Sequence, residues 1–244
     1  MRRRATRGIA LLLVLVLLIF GALLLYFYSR RHPEDVPWTA LDLGRPIGAF
    51  TGRKLAALHD DAPHCLALLN RAGVHFTTLP GRSDAPECSY SHAVRFEPGG
   101  SVTIGYRPAE VATQCPVAAA LALWEWHVVE PAARRHFGRT VMTIAHFGSY
   151  NCRRMYGRAT GPWSEHATAN AIDVAGFMLD DGTTISVVRD WHDGAAKAAF
   201  LREVRDGACR LFSTVLSPDY NAAHANHLHL DEAPRGEWGW RACR

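Results

Sequence analysis

The uncharged apolar run from Ile9 to Tyr28, IALLLVLVLLIFGALLLYFY, constrains this chain more than any other stretch. Roughly 20 such residues are what a helix needs to cross the hydrocarbon core of a bilayer. A cleaved signal peptide would carry a shorter apolar centre and a small-residue cleavage site. Here bulky Tyr26, Phe27 and Tyr28 close the run and Ser29 and Arg30 follow, so it reads as an uncleaved anchor. Arg2, Arg3, Arg4 and Arg7 precede it, and Arg30 and Arg31 follow. That bias keeps the short N-terminus inside and exports the rest.

The same six arginines explain the formal charge of +4; without them the remainder stands at −2. A domain with that balance has no electrostatic case for nucleic acid. With 48% hydrophobic residues in 244, it is large enough to bury one core. The six cysteines, Cys65, Cys88, Cys115, Cys152, Cys209 and Cys243, are scattered and lack C-x-x-C spacing. In an exported domain they read as disulfides. Six cysteines allow 15 connectivities, so the pairing stays open; Cys65 with Cys88 is the most local choice.

Three segments follow from composition: a cytoplasmic tip and membrane anchor over 1–31, a proline-containing tether over 32–51, and a folded domain over 52–244. Within the domain, Leu55, Leu58, Leu66 and Leu69 have near-helical spacing, interrupted at Pro63 and stopped by Gly73. Residues 93–106 alternate around Pro98-Gly99-Gly100 and predict a hairpin. Pro116 to Phe137 predicts a helix kinked at Pro131 and ended by Gly138. Strands are expected over 139–147, 171–179, 183–188 and 226–231, with a turn at Asp180-Asp181-Gly182 and a helix over 194–212. Without regular βαβ alternation the expected class is α+β, a small antiparallel sheet with flanking helices.

Two segments concentrate potential ligands, Ser164 to Asp173 (SEHATANAID) and His224 to Asp231 (HANHLHLD). On one helix His166 and Asp173 would lie about 10 Å apart, too far to share an ion about 2 Å from each ligand. A loop entering a strand must therefore join them. In the second segment His227, His229 and Asp231 alternate onto one strand face, with Leu228 and Leu230 behind. His166, Asp173 and one histidine of this pair form a three-ligand set of the kind a catalytic zinc uses, with a fourth position left for water. The bland reading, a surface or satisfied-core histidine, is applied to His59, His64, His75, His92, His127, His136 and His192. For the joint pattern a structural hydrogen-bond network is the competing reading.

At these residues the chain resembles a known group. Ser164-x-His166-x-x-Ala169-x-Ala171-x-Asp173 followed by His227-x-His229 is similar to the zinc-ligand signature of D-Ala-D-Ala carboxypeptidases and murein endopeptidases. From about Leu55 to Cys243, including Gly148-Ser149-Tyr150-Asn151-Cys152-Arg153, it more closely resembles the extensin-like C-terminal domain family of bacterial envelope proteins. The resemblance implies zinc held by His166, Asp173 and His229, with His227 and nearby His224 acting on substrate or water. Arg153, or else Arg154 or Arg158, would bind a peptide carboxylate or oxyanion. Ser164 would orient the His166 loop and Asp231 would hold an imidazole tautomer. Ala169 departs from the usual glycine, and the carboxylate base many relatives place shortly before the final histidine is not evident. The implied function is a zinc peptidase on peptidoglycan stem peptides, anchored in the bacterial inner membrane with its domain in the periplasm. The alternative is a non-catalytic metal-containing module that binds peptidoglycan or a protein partner.

Overall fold

The computed structural model describes residues 2–97, 104–109, 111–193, 195–236 and 240–244. Helix α1 (Arg2–Arg31) contains the apolar run, and its segment Arg7–Arg31 is long and apolar enough to cross a membrane, with none of its apolar window buried by the domain. The chain is thus consistent with a single-pass membrane protein.

The segment read as a tether is packed against the domain. Leu41, Leu43 and Ile47 enter the hydrophobic core. Lys54 Nζ donates to the Pro33 carbonyl and the Thr39 hydroxyl, and an Arg210 guanidinium nitrogen donates to the Ile47 carbonyl at 2.5 Å. Helices α2 (Thr51–Ala56) and α3 (Ala62–Arg71) follow. Pro63 sits in the first turn of α3, where its missing N–H costs nothing, and Asp61 caps it by accepting from His64 N. Gly73 just beyond it adopts φ +75°.

Strands β1 (Phe76–Thr78), β2 (Arg82–Ala85), β3 (Cys88–Tyr90), β4 (Ala93–Phe96), β5 (Gly105–Arg107) and β6 (Ala112–Gln114) build the first half. They do not form the expected 93–106 hairpin: β4 lies between β1 and β6, whereas β5 pairs in parallel with β7 (Val141–His146). The Pro98-Gly99-Gly100 turn lies outside the described residues, as does Gly194 at the start of the expected 194–212 helix. Alternation alone does not say which strand is the partner.

Helix α4 (Cys115–Trp124) has all ten residues buried, as expected of a helix apolar on every side. Trp124 donates its indole N–H to the Val204 carbonyl at 2.8 Å. A π-helical turn over Glu125–Val129 separates it from α5 (Glu130–Phe137). Pro131 cannot donate the bond an α-helical register would require there, and the wider turn accommodates the gap. Gly138, at φ +65°, closes α5 with its N–H on the Arg134 carbonyl.

The main sheet is larger than the small sheet expected and not wholly antiparallel. Its remaining strands are β8 (Ala171–Leu179), β9 (Thr184–Ser186), β10 (Thr214–Leu216), β11 (Leu228–Asp231) and β12 (Ala242–Cys243). Among the described residues they run β12-β10-β11-β8-β7-β5, with β9 also on β8; β5–β7 and β10–β12 are parallel. The 183–188 strand stops at Ser186, and α6 (Val187–Asp190) starts at once because Asp190 accepts from Ser186 N. Helix α7 (Ala196–Ala208) covers the inner sheet face with α4 and α5; Ile144, Ile172, Val174, Phe177, Leu228 and Leu230 fill the layer between. Burying each large apolar side chain contributes roughly 1.5–3 kcal/mol. The opposite face of β8 and β11 carries Asp173 and His229.

Three disulfides close the fold, none of them the local Cys65–Cys88 pair. Cys65 bonds Cys115, Cys88 bonds Cys152 and Cys209 bonds Cys243. Cys65 and Cys115 lie on α3 and α4, which pack together, while Cys88 on β3 reaches the loop after β7. Nearness in space, which sequence separation does not reveal, selects the partners.

Candidate metal centre

The strand β8 places Asp173 on the open face of the sheet, and β11 sets His229 directly opposite in antiparallel register. Cross-strand neighbours in such a pair have Cβ atoms about 4.5–5.5 Å apart, so the two side chains necessarily share one space. His166 arrives from a 3-10 turn, Glu165–Thr168, just before β8. Ser164 caps that turn by accepting from His166 N at 3.4 Å. Ala169 ends it in the left-handed region at φ +56°, a conformation that costs an alanine roughly 1–2 kcal/mol and a glycine nothing. A glycine at this position would meet that angle without strain.

Three atoms meet. His166 Nε2 lies 3.1 Å from Asp173 Oδ1 and 3.2 Å from His229 Nδ1, and His229 Nδ1 lies 3.0 Å from the same carboxylate oxygen. For a tetrahedral ion with bonds of about 2.0–2.1 Å, ligand atoms stand about 3.3 Å apart. The triangle therefore fits one ion of that size with a shift of a few tenths of an ångström. The outer ring nitrogens are spoken for: His166 Nδ1 donates to the Ser149 carbonyl at 2.6 Å and His229 Nε2 to Asp231 Oδ2 at 2.9 Å. Such outer bonds fix the tautomer and aim the inner nitrogen, as they do in metal-ligating histidines. All three side chains are buried.

Burial alone would raise the Asp173 carboxyl, but hydrogen bonds from His166 and His229 and their charge hold it well below the usual carboxylate range. His229 runs the other way. Burial opposes its positive form, yet the bonds to Asp173 and Asp231 push the imidazole up to about 9.

His227 precedes β11 and lies beside the triangle, its Nε2 3.4 Å from Asp173 Oδ1 and its Nδ1 donating to Asn226 Oδ1 at 2.8 Å. Burial lowers its pKa. His224 stacks beside it, ring centroids 5.2 Å apart, with Nδ1 donating to Asn221 Oδ1 at 2.8 Å. Burial, and then the neighbouring imidazoles, lower it to about 4. Both rings are neutral at pH 7.

These side chains line a cleft of about 400 Å³ that also contains Arg153. The structure thus brings together His166, Asp173, His229, His227, His224 and Arg153. Arg154 instead packs over Trp163, and Arg158 over Tyr156, as cation–π pairs in the wall around it. Sequence reasoning missed Glu165, Arg235, Tyr156 and Trp163 on the cleft and the Ser149 carbonyl behind His166. A carbonyl acceptor leaves no residue-type signal, and Tyr156, Trp163 and Arg235 flank the two ligand-rich segments at no spacing that points to a shared cleft. Glu165 is adjacent to His166 and was readable; Asn170 Nδ2 donates to its carboxylate at 2.7 Å, and burial raises its pKa.

No curated protein and no solved structure matches the chain. The family model described as Extensin-like protein C-terminus matches residues 63–244, a span that takes in α3 from its second residue, all three disulfides and the whole cleft. With three quarters of its length matched, including every residue of the His–Asp–His triangle, the chain belongs to the extensin-like C-terminal family.

Proposed function

We propose that the chain is a zinc-dependent peptidase acting on peptidoglycan stem peptides, held at the bacterial inner membrane by α1 with its domain in the periplasm. The observation that carries the reading is the orientation of the two imidazoles: each gives its outer N–H to an oxygen and turns its inner nitrogen toward Asp173 Oδ1. Two nitrogens and one carboxylate oxygen suit zinc better than softer or harder ions. Zinc supplies Lewis acidity, polarising a peptide carbonyl and lowering the pKa of a water toward about 7.

The remaining work falls to the protein. With Nδ1–H on Asn226, the neutral His227 ring presents an unprotonated Nε2 to the cleft, where it takes a proton from water and returns it to the departing amine. Its lowered pKa keeps it free to accept at neutral pH. Arg153 offers a fork of donors to a substrate carboxylate or developing oxyanion. His224 packs against His227 and stays neutral, so the cleft holds no second imidazolium to repel a cation.

A second reading, a non-catalytic metal-containing module for peptidoglycan or a protein partner, is favoured by the engagement of the cleft's acids. Asp231 is bonded to His229 and Glu165 to Asn170, so neither is free as a base. Incubating the full-length chain with purified sacculi, with and without a chelator, separates the two. Chelator-sensitive release of muropeptides supports the peptidase, and metal-loaded protein that releases none supports the module.

A further inference from the structure

We infer that the domain is seated directly on the bilayer that α1 crosses, clamped to the end of that helix through Asp35, with Trp38 among the lipid headgroups and Arg45 on lipid phosphate. The inference rests on the reading of α1 as the membrane anchor.

Length sets the distance. The apolar run over 9–28 makes about 30 Å of helix, which matches the hydrocarbon core. The headgroup layer beyond is about 5–7 Å deep on each side. Helix α1 continues only to Arg31, and the His32 N–H still bonds the Tyr28 carbonyl at 2.8 Å. Arg30 and Arg31 therefore fall within that layer, and the domain has to begin at its outer edge.

No slack chain separates the two. Tyr28 donates its hydroxyl to Asp35 Oδ2 at 2.7 Å, and the Ala49 N–H donates to Asp35 Oδ1 at 2.9 Å. One carboxylate thus joins the last residue of the apolar run to backbone two residues past Ile47, which lies in the core. The Phe50 N–H bonds the Glu34 carbonyl at 3.3 Å, and the Tyr28 and His32 rings pack with centroids 4.8 Å apart. At Gly48 a Cβ would stand 2.5 Å from the Glu34 backbone, so only glycine lets the two segments approach this closely. A flexible tether would need none of these contacts.

The same collar carries the groups that suit a lipid surface. The Thr39 hydroxyl bonds back to the Pro33 carbonyl, which keeps Trp38 within about 10 Å of the helix end. Trp38 is 66% exposed, whereas Val36 and Leu41 on either side of it are buried. Tryptophan concentrates at headgroup level, where its ring meets apolar chains and its N–H stays wet. Arg45 is exposed and lines a small hollow with Pro33 and Glu34. Within 32–51 Glu34 and Asp35 are half-buried, which leaves Asp42 as the exposed acid against Arg30, Arg31 and Arg45. That balance favours an anionic bilayer. A domain of this size is about 45 Å across, so the ligand triangle operates within that distance of the lipid.

The test uses the full-length chain in nanodiscs of phosphatidylglycerol and phosphatidylcholine, the latter brominated near the top of its acyl chains, with tryptophan fluorescence as the readout. Bromine should quench the unaltered chain. Trp38→Phe should lower that quenching about fivefold, since Trp38 is the one tryptophan of the 32–51 segment. Asp35→Ala, which cuts both clamp bonds, and Arg45→Glu should each lower it about twofold. Circular dichroism and intact disulfides confirm the fold of each variant. Quenching unmoved by any one of the three overturns the proposal. Shielding of Trp38 from iodide without quenching by brominated lipid would assign the face to a protein surface, and overturns it too. A chain that floats with the lipid but keeps Trp38 unquenched defeats the seating alone; one that does not float with the lipid defeats the anchor reading itself.

Discussion

His166 Nε2 and His229 Nδ1 face each other across 3.2 Å, with the Asp173 carboxylate oxygen completing the triangle. Both outer nitrogens are committed to oxygen acceptors. The inner two therefore point lone pairs at one spot, which is favourable only with a proton or a cation between them.

Replacing His166, Asp173 or His229 by Ala should abolish stoichiometric zinc, since each removes one of three protein bonds. His227→Ala should retain most of the metal while lowering hydrolysis by about 10²–10⁴-fold, the usual contribution of a positioned acid–base group. Elemental analysis beside sacculus digestion reads both. Full zinc retention in the His166 and Asp173 variants would end the metal assignment.

Zinc affinity should rise with pH. The metal-free His229 imidazole stays protonated up to about 9, and binding must expel that proton. Between pH 6.5 and about 9 affinity should climb by about tenfold per unit and then level off. The same shift has a stability consequence. A raised folded pKa stabilises the metal-free chain fully below the unfolded value of 6.5, and that contribution is lost as pH rises through about 9. Chelated protein should thus melt at lower temperature at pH 9 than at pH 6.5; a flat zinc-affinity profile over this range would contradict the proposed proton displacement.

Asp231→Asn should weaken zinc binding by about 10–100-fold without removing a ligand, because it degrades the bond that aims His229. Competition titration with a chromogenic chelator measures it. Unchanged affinity would show that β11 alone orients the imidazole.

Ala169→Gly should leave zinc binding intact and raise stability by up to about 1 kcal/mol. Relief of the φ +56° strain outweighs the extra freedom glycine gives the unfolded chain. Denaturant unfolding of the reduced-background pair of proteins decides the sign; a clear loss of stability would mean the Ala169 methyl packs better than its backbone suffers.

Peptide mapping without reductant should recover Cys65–Cys115, Cys88–Cys152 and Cys209–Cys243 and no other pair. Removing Cys88–Cys152, which closes a separation of 64 residues, should cost about 4 kcal/mol. It should also loosen the segment that presents Arg153. Detection of Cys65–Cys88 would overturn the topology.

Much of this molecule was legible one residue at a time. The apolar run over 9–28 needs only its length and lack of charge to specify a helix long and apolar enough to cross a membrane, β8 is bounded as its pattern implies, and Pro131 marks the break between α4 and α5. The ligand candidates were legible too, because histidine and aspartate at period two in a strand can only share a face. What the tertiary structure alone decided are partners. β4 and β5 alternate like a hairpin yet join different sheets, and Cys65 finds Cys115 because α3 packs on α4. The core's claim on Leu41, Leu43 and Ile47 turns an apparent tether into part of the domain. Likewise Ser149 meets His166 through a backbone carbonyl that any residue would supply. Local sequence sets which face a side chain occupies; which distant surface that face meets is settled by burial of the whole chain, a sum over contacts that no single segment contains.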